Sequence, residues 1–283
     1  MRVCSYVLPK GGASFGVADG DRIRDAGPAL RARHADLRAL LAADALDALR
    51  TAAPDAETIA VDAVTLLPPV PNPDKILCIG LNYMTHIRET GRDAPKQPSI
   101  FTRYPSSLVG HGVPLIRPAA SDWFDFEGEL AVVIGKPGRA IPAERAMEHV
   151  AGYSCFNDGS VRDFQRHTTQ FWAGKNFDRS GSMGPWLVTA DELGDPVAQS
   201  MTTRLNGEVM QSTPISDLAF DIPALIAYIS TVTELLPGDV IATGTPSGVG
   251  LFREPKVFMQ PGDRIEVEIT GIGTLANDIV AER

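Results

Sequence analysis

Three acidic residues, Asp125, Glu127 and Glu129, precede a short apolar run that ends at a glycine. The run, residues 130–134, is rich in β-branched side chains and is typical of a buried strand. Side chains two apart on an extended segment point to the same side, so we expect the three carboxyls to crowd one face. Such close like charges cannot all stay ionised without a cation, and hard divalent cations prefer oxygen ligands. The pattern therefore indicates a metal site, although an isolated E-x-E is more often a solvated strand edge.

A second candidate is the pair His86 and Glu89, spaced i, i+3 in a segment with helical character. That spacing places both side chains on one helix face, within reach of each other. A carboxylate that orients an imidazole is a common general base. Because His-x-x-Glu also arises by chance, the pair alone does not establish catalysis.

Three further positions give weaker signals. Asp158 follows an apolar segment, residues 152–157, and such an acid often only opens a turn. Lys175 stands among apolar neighbours and is either a desolvated cation near a substrate or a surface lysine. The loop 244–248 contains Thr245 and either holds an anion through backbone N–H groups or is a surface turn.

The elements that must position these residues are many short strands and few helices. Residues 1–70 are predicted to form a small N-terminal α+β domain, with a hairpin at Asp19-Gly20 and one or two helices between 28 and 52. The proline-dense stretch 68–74 predicts a stiff connector. Residues 71–283 then form the larger catalytic domain. The absence of a βαβ rhythm favours an α+β, β-rich roll or barrel over a doubly wound sheet.

Composition excludes several classes of partner. The chain has 283 residues and a net charge of -9 without a basic stripe, which argues against nucleic acid and anionic membranes. No apolar run approaches the ~18 residues of a membrane span. The three cysteines form no close-spaced pair, and no signal-peptide core is present near Met1. We therefore expect a cytoplasmic protein.

In their combination and order, these motifs resemble the fumarylacetoacetate hydrolase superfamily, from about Lys75 to the C-terminus. The matching segments are 79–89 (IGLNYMTHIRE), 126–135 (FEGELAVVIG), 152–165 (GYSCFNDGSVRDFQ), 174–177 (GKNF) and 237–250 (PGDVIATGTPSGVG). The resemblance implies a mixed β-sandwich roll with a smaller N-terminal domain, usually as a homodimer.

The resemblance also implies individual roles. The implied ligands of a single Mg²⁺, or alternatively Mn²⁺ or Ca²⁺, are Glu127, Glu129 and Asp158. The implied catalytic residues are His86 and Glu89, which activate water from a lid segment, and Lys175 beside the metal. The implied contacts to a substrate carboxylate or keto oxygen are Arg162, Gln165 and Thr245. Asp125 has no role in that pattern.

One position departs from the family pattern. Arg103-Tyr104 stands where many relatives have Lys-Pro. Arg103 either preserves the positive charge or alters the distal part of the pocket. The departure weakens any inference about the substrate.

Three functional hypotheses follow. The first is a metal-dependent hydrolase that cleaves a C–C bond in a 2,4-diketo acid, such as an acylpyruvate or fumarylpyruvate, with water activated by His86 and Glu89. The alternative is an isomerase, tautomerase or decarboxylase of a 2-hydroxymuconate-like or oxaloacetate-like 2-keto acid, since the same stabilisation of an enolate serves each. The third is a catalytically silent metal-binding or ligand-binding member of the superfamily.

Overall fold

The computed structural model describes residues 1–91 and 93–283 and confirms the predicted α+β, strand-rich fold. The first strands are β1 (Arg2–Val7), β2 (Ala13–Asp19), β3 (Arg22–Asp25), β4 (Thr58–Ala60), β5 (Thr65–Leu66), β6 (Ile76–Gly80), β7 (Ser99–Arg103), β8 (Leu108–Val109) and β9 (Leu115–Arg117). The remaining strands are β10 (Phe124–Asp125), β11 (Gly128–Ile134), β12 (Val150–Asn157), β13 (Ser160–Val161), β14 (Gly181–Thr189), β15 (Ser200–Leu205), β16 (Glu208–Pro214), β17 (Val240–Ala242), β18 (Arg264–Ile269) and β19 (Gly273–Ala281).

The α-helices are short. They are α1 (Gly27–Arg33), α2 (Leu37–Ala42), α3 (Leu46–Ala52), α4 (Met84–Glu89), α5 (Arg162–Gln165), α6 (Trp172–Lys175), α7 (Ala190–Leu193) and α8 (Ile222–Val232). The 3₁₀ helices are Ala53–Asp55, Val61–Ala63, Pro105–Ser107, Ala143–His149, Pro196–Ala198, Ile215–Asp217 and Gly250–Phe252. In the part of the chain that the structure describes, no helix is long and apolar enough to cross a membrane.

One large sheet runs through the molecule in the order β4-β3-β2-β1-β14-β12-β11-β17-β6-β7, with β5 beside β1 and β8 beside β14. The N-terminal strands belong to this sheet because β1 pairs antiparallel with β14. A smaller sheet has the order β16-β15-β18-β19-β9, and β10 pairs with β13. The boundary between residues 70 and 71 therefore stays a prediction, since hydrogen bonds of one sheet join the two segments.

Strand β11 lies at the centre and is buried on both faces. Alternate residues of a strand point to opposite faces. Leu130, Val132 and Ile134 therefore pack with α8 and the smaller sheet, in one apolar cluster. Ala131 and Val133 pack with the leucines of α1, α2 and α3, in another. This double burial fixes the position of the strand that carries the acidic residues.

The hairpin predicted at Asp19-Gly20 is confirmed and joins β2 to β3. A second hairpin, at Asn206-Gly207, joins β15 to β16. Asp221 caps α8, because its carboxylate accepts a hydrogen bond of 2.8 Å from the backbone N–H of Ala224.

Other predictions of local structure are wrong in detail. The region 28–52 forms three helices rather than one or two, because Asp36 caps α2 through the N–H of Ala39, and Asp44, with φ of 51°, separates α2 from α3. The residue types between 59 and 67 are typical of a strand, but the 3₁₀ helix Val61–Ala63 divides this segment into β4 and β5. At Asp36, hydrogen bonding between a short polar side chain and the backbone thus overrides the helical periodicity.

Candidate active site

The predicted metal ligands Glu127, Glu129 and Asp158 meet in the middle of the large sheet, where β11 begins and β12 ends. Strand β11 begins beside the end of β12, because the two strands are antiparallel with Gly128 opposite Asn157. The N–H of Asp158 donates to the carbonyl of Glu127 at 2.8 Å. One oxygen from each of the three buried carboxylates lies within 4.8 Å of the others. The structure therefore brings carboxylates from two distant segments into one cluster.

Asp125 does not join this cluster. Its carboxylate accepts hydrogen bonds from the N–H groups of Gly250 and Leu251, at 2.8 and 2.9 Å, and from Nε of Arg162 at 2.8 Å. The expectation that three carboxyls share one face is wrong for Asp125, because the chain leaves the extended strand between β10 and β11. Asp125 instead anchors a loop and an arginine.

Lys175 lies against two members of the acidic cluster, Glu127 and Asp158. Its Nζ donates to Oε2 of Glu127 and to Oδ2 of Asp158, both at 2.6 Å. Helix α6 can place the lysine there because Gly174 has no side chain, and a Cβ at that position would lie 2.5 Å from the carbonyl oxygen of Val161. Lys175 is 1% exposed, so its charge acts inside the site rather than in solvent.

Burial and neighbouring charges shift the pKa values of Glu127 and Glu129 in opposite directions. Burial alone would raise the pKa of Glu127, but Lys175 and Arg162 outweigh it and lower that pKa to about 2. Burial, followed by the charges of Asp158 and Glu127, raises the pKa of Glu129 well above its usual range. Burial alone would lower the pKa of Lys175, but the carboxylates of Asp158 and Glu127 outweigh it and raise that pKa. The ammonium form is therefore favoured.

A divalent cation fits this donor set. Buried side chains contribute more negative than positive charge, with carboxylates on Asp125, Glu127, Glu129 and Asp158 and cations on Arg103, Arg162 and Lys175. Among the described residues, Glu129 forms no ion pair, and its one hydrogen bond is donated by the N–H of Gly244 at 2.8 Å. Oxygen ligands around one ion at ~2.0–2.6 Å lie roughly 3–5 Å apart, which matches the cluster.

Arg103 makes contacts with the acidic cluster that the sequence did not reveal. It is 2% exposed and lines no part of the cavity described below, so it does not alter the distal pocket. Its Nη1 donates to Oδ1 of Asp158 at 2.5 Å and to the carbonyl of Gly159 at 3.0 Å. Its other nitrogens donate to Ser107 Oγ at 3.0 Å, the Ser107 carbonyl at 3.3 Å and Ser180 Oγ at 2.7 Å. Only its departure from the family pattern marked this position.

The predicted catalytic pair lies on α4, which we call the lid helix. Nδ1 of His86 lies 2.7 Å from Oε2 of Glu89, and Oε1 of Glu89 accepts a hydrogen bond of 2.9 Å from the N–H of Gly248. A carboxylate partner places the proton on Nδ1, which leaves Nε2 as the basic nitrogen of the neutral ring. His86 also contacts the ring of Phe252 edge-on, with centroids 5.9 Å apart.

The lid helix is fixed at its N-terminal end by two polar residues. The amide nitrogen of Asn82 donates to the carbonyls of Thr243, at 2.8 Å, and Phe220, at 3.1 Å. Both the N–H and the hydroxyl of Thr85 donate to Oδ2 of Asp217, at 3.0 and 2.7 Å. These contacts hold His86 over the acidic cluster.

The loop 244–248 connects the acidic cluster to the lid helix. The N–H of Gly244 donates to Glu129, and the N–H of Gly248 donates to Glu89. These two N–H groups, which the sequence suggested for an external anion, are therefore bonded to carboxylates of the site itself.

Thr245 is held within the same loop. Its hydroxyl donates to the carbonyl of Gly128 at 2.9 Å and accepts from Nε2 of Gln211 at 2.8 Å. Gln211 is buried and also accepts from the N–H of Gly128 at 3.0 Å. No feature of the sequence around Gln211 indicated this role.

A cavity of about 320 Å³ opens above the cluster. Of the predicted site residues, all except Glu89 and Asp158 line it. Glu89 lies behind His86, and Asp158 lies behind Lys175. Apolar side chains, among them Phe101, Phe171 and Leu251, line other parts of the cavity. The cavity therefore combines charged and apolar surfaces.

Comparison with known proteins agrees with the geometry. The family model described as fumarylacetoacetate (FAA) hydrolase C-terminal matches residues 75–280. The chain belongs to the fumarylacetoacetate hydrolase family. The resemblance seen in the motifs is thereby confirmed, and the fold is that of the family.

Relatives of this family member include named enzymes. The mitochondrial oxaloacetate tautomerase FAHD2A of Bos taurus is 46% identical over 219 residues, which are 77% of this chain and 70% of that protein. The oxaloacetate tautomerase YisK of Bacillus subtilis (strain 168) is 45% identical over 220 residues, which are 76% of this chain and 73% of that protein.

A solved structure allows a geometric comparison. The crystal structure of maleylpyruvate hydrolase from Sphingobium sp. SYK-6, in complex with manganese(II) ion and pyruvate, superposes with a TM-score of 0.83. It is 32% identical and covers 100% of both chains. These findings show that the present chain is an enzyme of the fumarylacetoacetate hydrolase family with a site suited to a divalent metal.

Proposed function

We propose that this enzyme is a divalent-metal-dependent tautomerase that interconverts the keto and enol forms of oxaloacetate or a closely similar 2-keto acid. The proposal rests on one observation: side chains of the carboxylate cluster and His86 line the same small cavity. The choice of substrate is supported by two relatives at 45–46% identity, both of which are oxaloacetate tautomerases.

The metal would be held by Glu127, Glu129 and Asp158, and we propose Mg²⁺, with Mn²⁺ as the alternative. When bound, a divalent ion supplies a Lewis acid that makes the C–H bond next to the 2-keto group more acidic. Lys175 places a second positive charge on the same wall of the cavity. The buried position of both charges increases their effect on the negative charge that develops on the keto oxygen.

The proton transfer is assigned to His86. Its Nε2 removes a proton from C3 of the keto form and then delivers a proton to the oxygen on C2, which gives the enol with no net change in atoms. Glu89 keeps the ring oriented and stabilises its protonated form, since it accepts the Nδ1–H. The contact between Gly248 and Glu89 keeps that carboxylate in place.

Hydrolysis of a C–C bond remains the second candidate, and two observations favour it. The maleylpyruvate hydrolase structure shares the whole fold at 32% identity, and the His86–Glu89 pair also suits the activation of water. The group on C4 of the substrate decides between the reactions. A ketone on C4 is open to attack by water, whereas the carboxylate on C4 of oxaloacetate is not.

The decisive experiment follows the ultraviolet absorbance of enol-oxaloacetate after addition of enzyme, with Mg²⁺ and with a chelator. We expect metal-dependent loss of the enol signal without loss of CO₂. Parallel incubations with acylpyruvates test for release of pyruvate. If acylpyruvates are cleaved and the enol signal decays at the uncatalysed rate, the hydrolase candidate replaces the tautomerase.

We also propose a cytoplasmic homodimer. The three cysteines are free and buried, which suits a reducing compartment. Tyr104 and Trp172, which are 52% and 50% exposed, pack edge to face on the surface and form an apolar patch suited to a subunit interface. Sedimentation equilibrium measures the mass, and a concentration-independent mass of one chain contradicts this proposal.

A further inference from the structure

Three nitrogen-bearing side chains line one wall of the cavity from a single helical turn. Arg162 begins α5, Gln165 ends it and Arg166 follows as its C-cap residue. Their spacing of i, i+3 and i+4 places them on one face of that turn, and all three line the cavity. Arg162 is 3% exposed, Gln165 is half-buried and Arg166 is exposed, so the row leads from the floor of the cavity to its mouth.

Some nitrogen donors of these three side chains form no hydrogen bond within the described residues. Nε of Arg162 donates to Asp125 at 2.8 Å, and its Nη1 donates to Glu127 at 2.5 Å and to Gln165 at 3.0 Å. Its Nη2 is buried and has no hydrogen-bond partner among residues 1–91 and 93–283. The side-chain oxygen of Gln165 accepts from Arg162, and within the same described residues its amide nitrogen donates to no protein group. A buried arginine nitrogen without an acceptor is costly unless a ligand supplies one.

Arg166 differs from the other cations of the cavity in its charge balance. Lys175 is matched by Glu127 and Asp158, and Arg162 is matched by Asp125 and Glu127. Arg166 forms no salt bridge within the described part of the chain. It therefore contributes the uncompensated positive charge of the cavity wall.

We propose that Arg166 forms, with Nη2 of Arg162 and the amide of Gln165, a subsite for a second carboxylate of the substrate. A 2-keto acid whose first carboxylate and keto oxygen lie at the acidic cluster extends its chain along this row toward the mouth. A guanidinium binds a carboxylate through two parallel hydrogen bonds, which suits Arg166 to this end. The subsite selects 2-keto dicarboxylates over 2-keto monocarboxylates, and it rests on the proposed function in taking the substrate to be a 2-keto acid.

The test compares two ligands of equal chain length, 2-oxoglutarate and 2-oxopentanoate, by calorimetric titration of the Mn²⁺-loaded enzyme. We expect the wild type to bind the dicarboxylate about 10-fold or more tightly than the monocarboxylate. Arg166→Met should remove most of that preference and leave binding of 2-oxopentanoate within about 2-fold, whereas Arg166→Lys should retain part of it. Arg33→Met, which removes the same charge from an exposed position on α1, is the matched control and should change neither affinity.

Three outcomes overturn the proposal: no preference in the wild type, an unchanged preference in Arg166→Met, or an equal loss of preference in Arg33→Met, which would indicate a general effect of net charge. Turnover of enol-oxaloacetate is measured on the same preparations. A preference that depends on Arg166 in an enzyme without turnover supports the subsite and contradicts the tautomerase. Turnover without such a preference supports the tautomerase and contradicts the subsite.

Discussion

At the scale of single residues, the orientation of Asp158 depends on a side chain that never reaches the cavity. Arg103 donates to four residues at once, and one of them is Asp158. A planar guanidinium can do this because its five N–H groups point in fixed, divergent directions, whereas an ammonium has three donors at one point.

Arg103→Lys is therefore expected to weaken metal binding although the charge is kept. Loss of an outer hydrogen-bond partner of a metal ligand typically costs ~10–100-fold in metal affinity or activity. Titration of Mn²⁺ by electron paramagnetic resonance measures the affinity directly. Ser180→Ala removes one acceptor of Arg103 and should show a smaller effect, and equal affinities for Arg103→Lys and wild type would contradict this role.

Replacement of His86 and Glu89 should separate the two functions proposed for this pair. His86→Ala is expected to lower kcat for tautomerisation by ~10²–10⁴-fold, because the base is lost. Glu89→Gln keeps the size of the side chain but removes the charge that stabilises the protonated ring, so its loss should be smaller. Mn²⁺ affinity should stay unchanged in both variants, and turnover by His86→Ala at the wild-type rate would exclude His86 as the base.

The residues that the sequence could and could not predict differ in where their partners lie. The proximity of Glu127 to Glu129 and the contact of His86 with Glu89 were predictable because strand and helix spacing is local information. Arg103 and Asp158 are far apart in the chain, and no local pattern joins them. The family pattern separated Asp125 from the acidic cluster of Glu127, Glu129 and Asp158, whereas its spacing alone suggested that it belongs there.

At the scale of elements, the lid helix α4 is held by contacts from outside itself. It has six residues and no side-chain cap within the helix. Isolated helices of this length are unstable in water. Asp217, which binds both polar groups of Thr85, therefore supplies the capping contact from a separate 3₁₀ helix.

Asp217→Ala should loosen the lid helix. We expect a higher KM and a lower kcat together, because His86 and Glu89 would be positioned less often, and a loss of stability of about 1 kcal/mol, as for other capping residues. Steady-state kinetics and urea unfolding give both values. Asp36→Ala, which removes the cap of α2, is the control: it should reduce stability by a similar amount and leave KM unchanged.

The elements themselves were mostly predictable. The buried strands β6, β11 and β12 follow from apolar runs that end at a glycine or a polar residue. The division of 28–52 into three helices was not predictable, because Ala-rich and Leu-rich periodicity continues across the breaks at Asp36 and Asp44. The order of strands in the large sheet could not be derived either, since it depends on long-range pairing.

At the scale of the whole molecule, the N-terminal segment is joined to the sheet that carries the site. Within that segment, the carboxylate of Asp25 connects several elements. It accepts hydrogen bonds from Tyr6 on β1 at 2.5 Å, from Ser14 on β2 at 2.7 Å and from the N–H of Gly27 at 2.7 Å. It also forms an ion pair with Arg31 on α1. Stability of this segment thus depends on one nearly buried carboxylate.

The contribution of Asp25 should depend on pH. Burial alone would raise the pKa of Asp25, but hydrogen bonds from Tyr6 and Ser14 outweigh it, and the pKa is lowered from 3.8. Because the folded pKa lies below the unfolded value, the stabilisation is complete above about pH 4 and is lost as pH falls through the folded pKa. Asp25→Asn should therefore lower the free energy of unfolding by ~2 kcal/mol at pH 7 and by progressively less in acid.

Urea unfolding of wild type and variant at a series of pH values measures this difference. Asp55→Asn, at an exposed position, provides the control and should have little effect at any pH. A difference between wild type and Asp25→Asn that stays constant from pH 7 to below the folded pKa would show that the carboxylate charge is not responsible.

The length of the loop 244–248 limits how the site can be altered by engineering. Its first N–H binds Glu129 and its last N–H binds Glu89, so five residues set the separation between the acidic cluster and the His86–Glu89 pair. This loop serves as a spacer of fixed length, and an insertion or deletion in it would move one centre relative to the other. Engineering toward bulkier acids should therefore leave the spacer intact and vary Leu251 and Phe252, which line the cavity immediately after it.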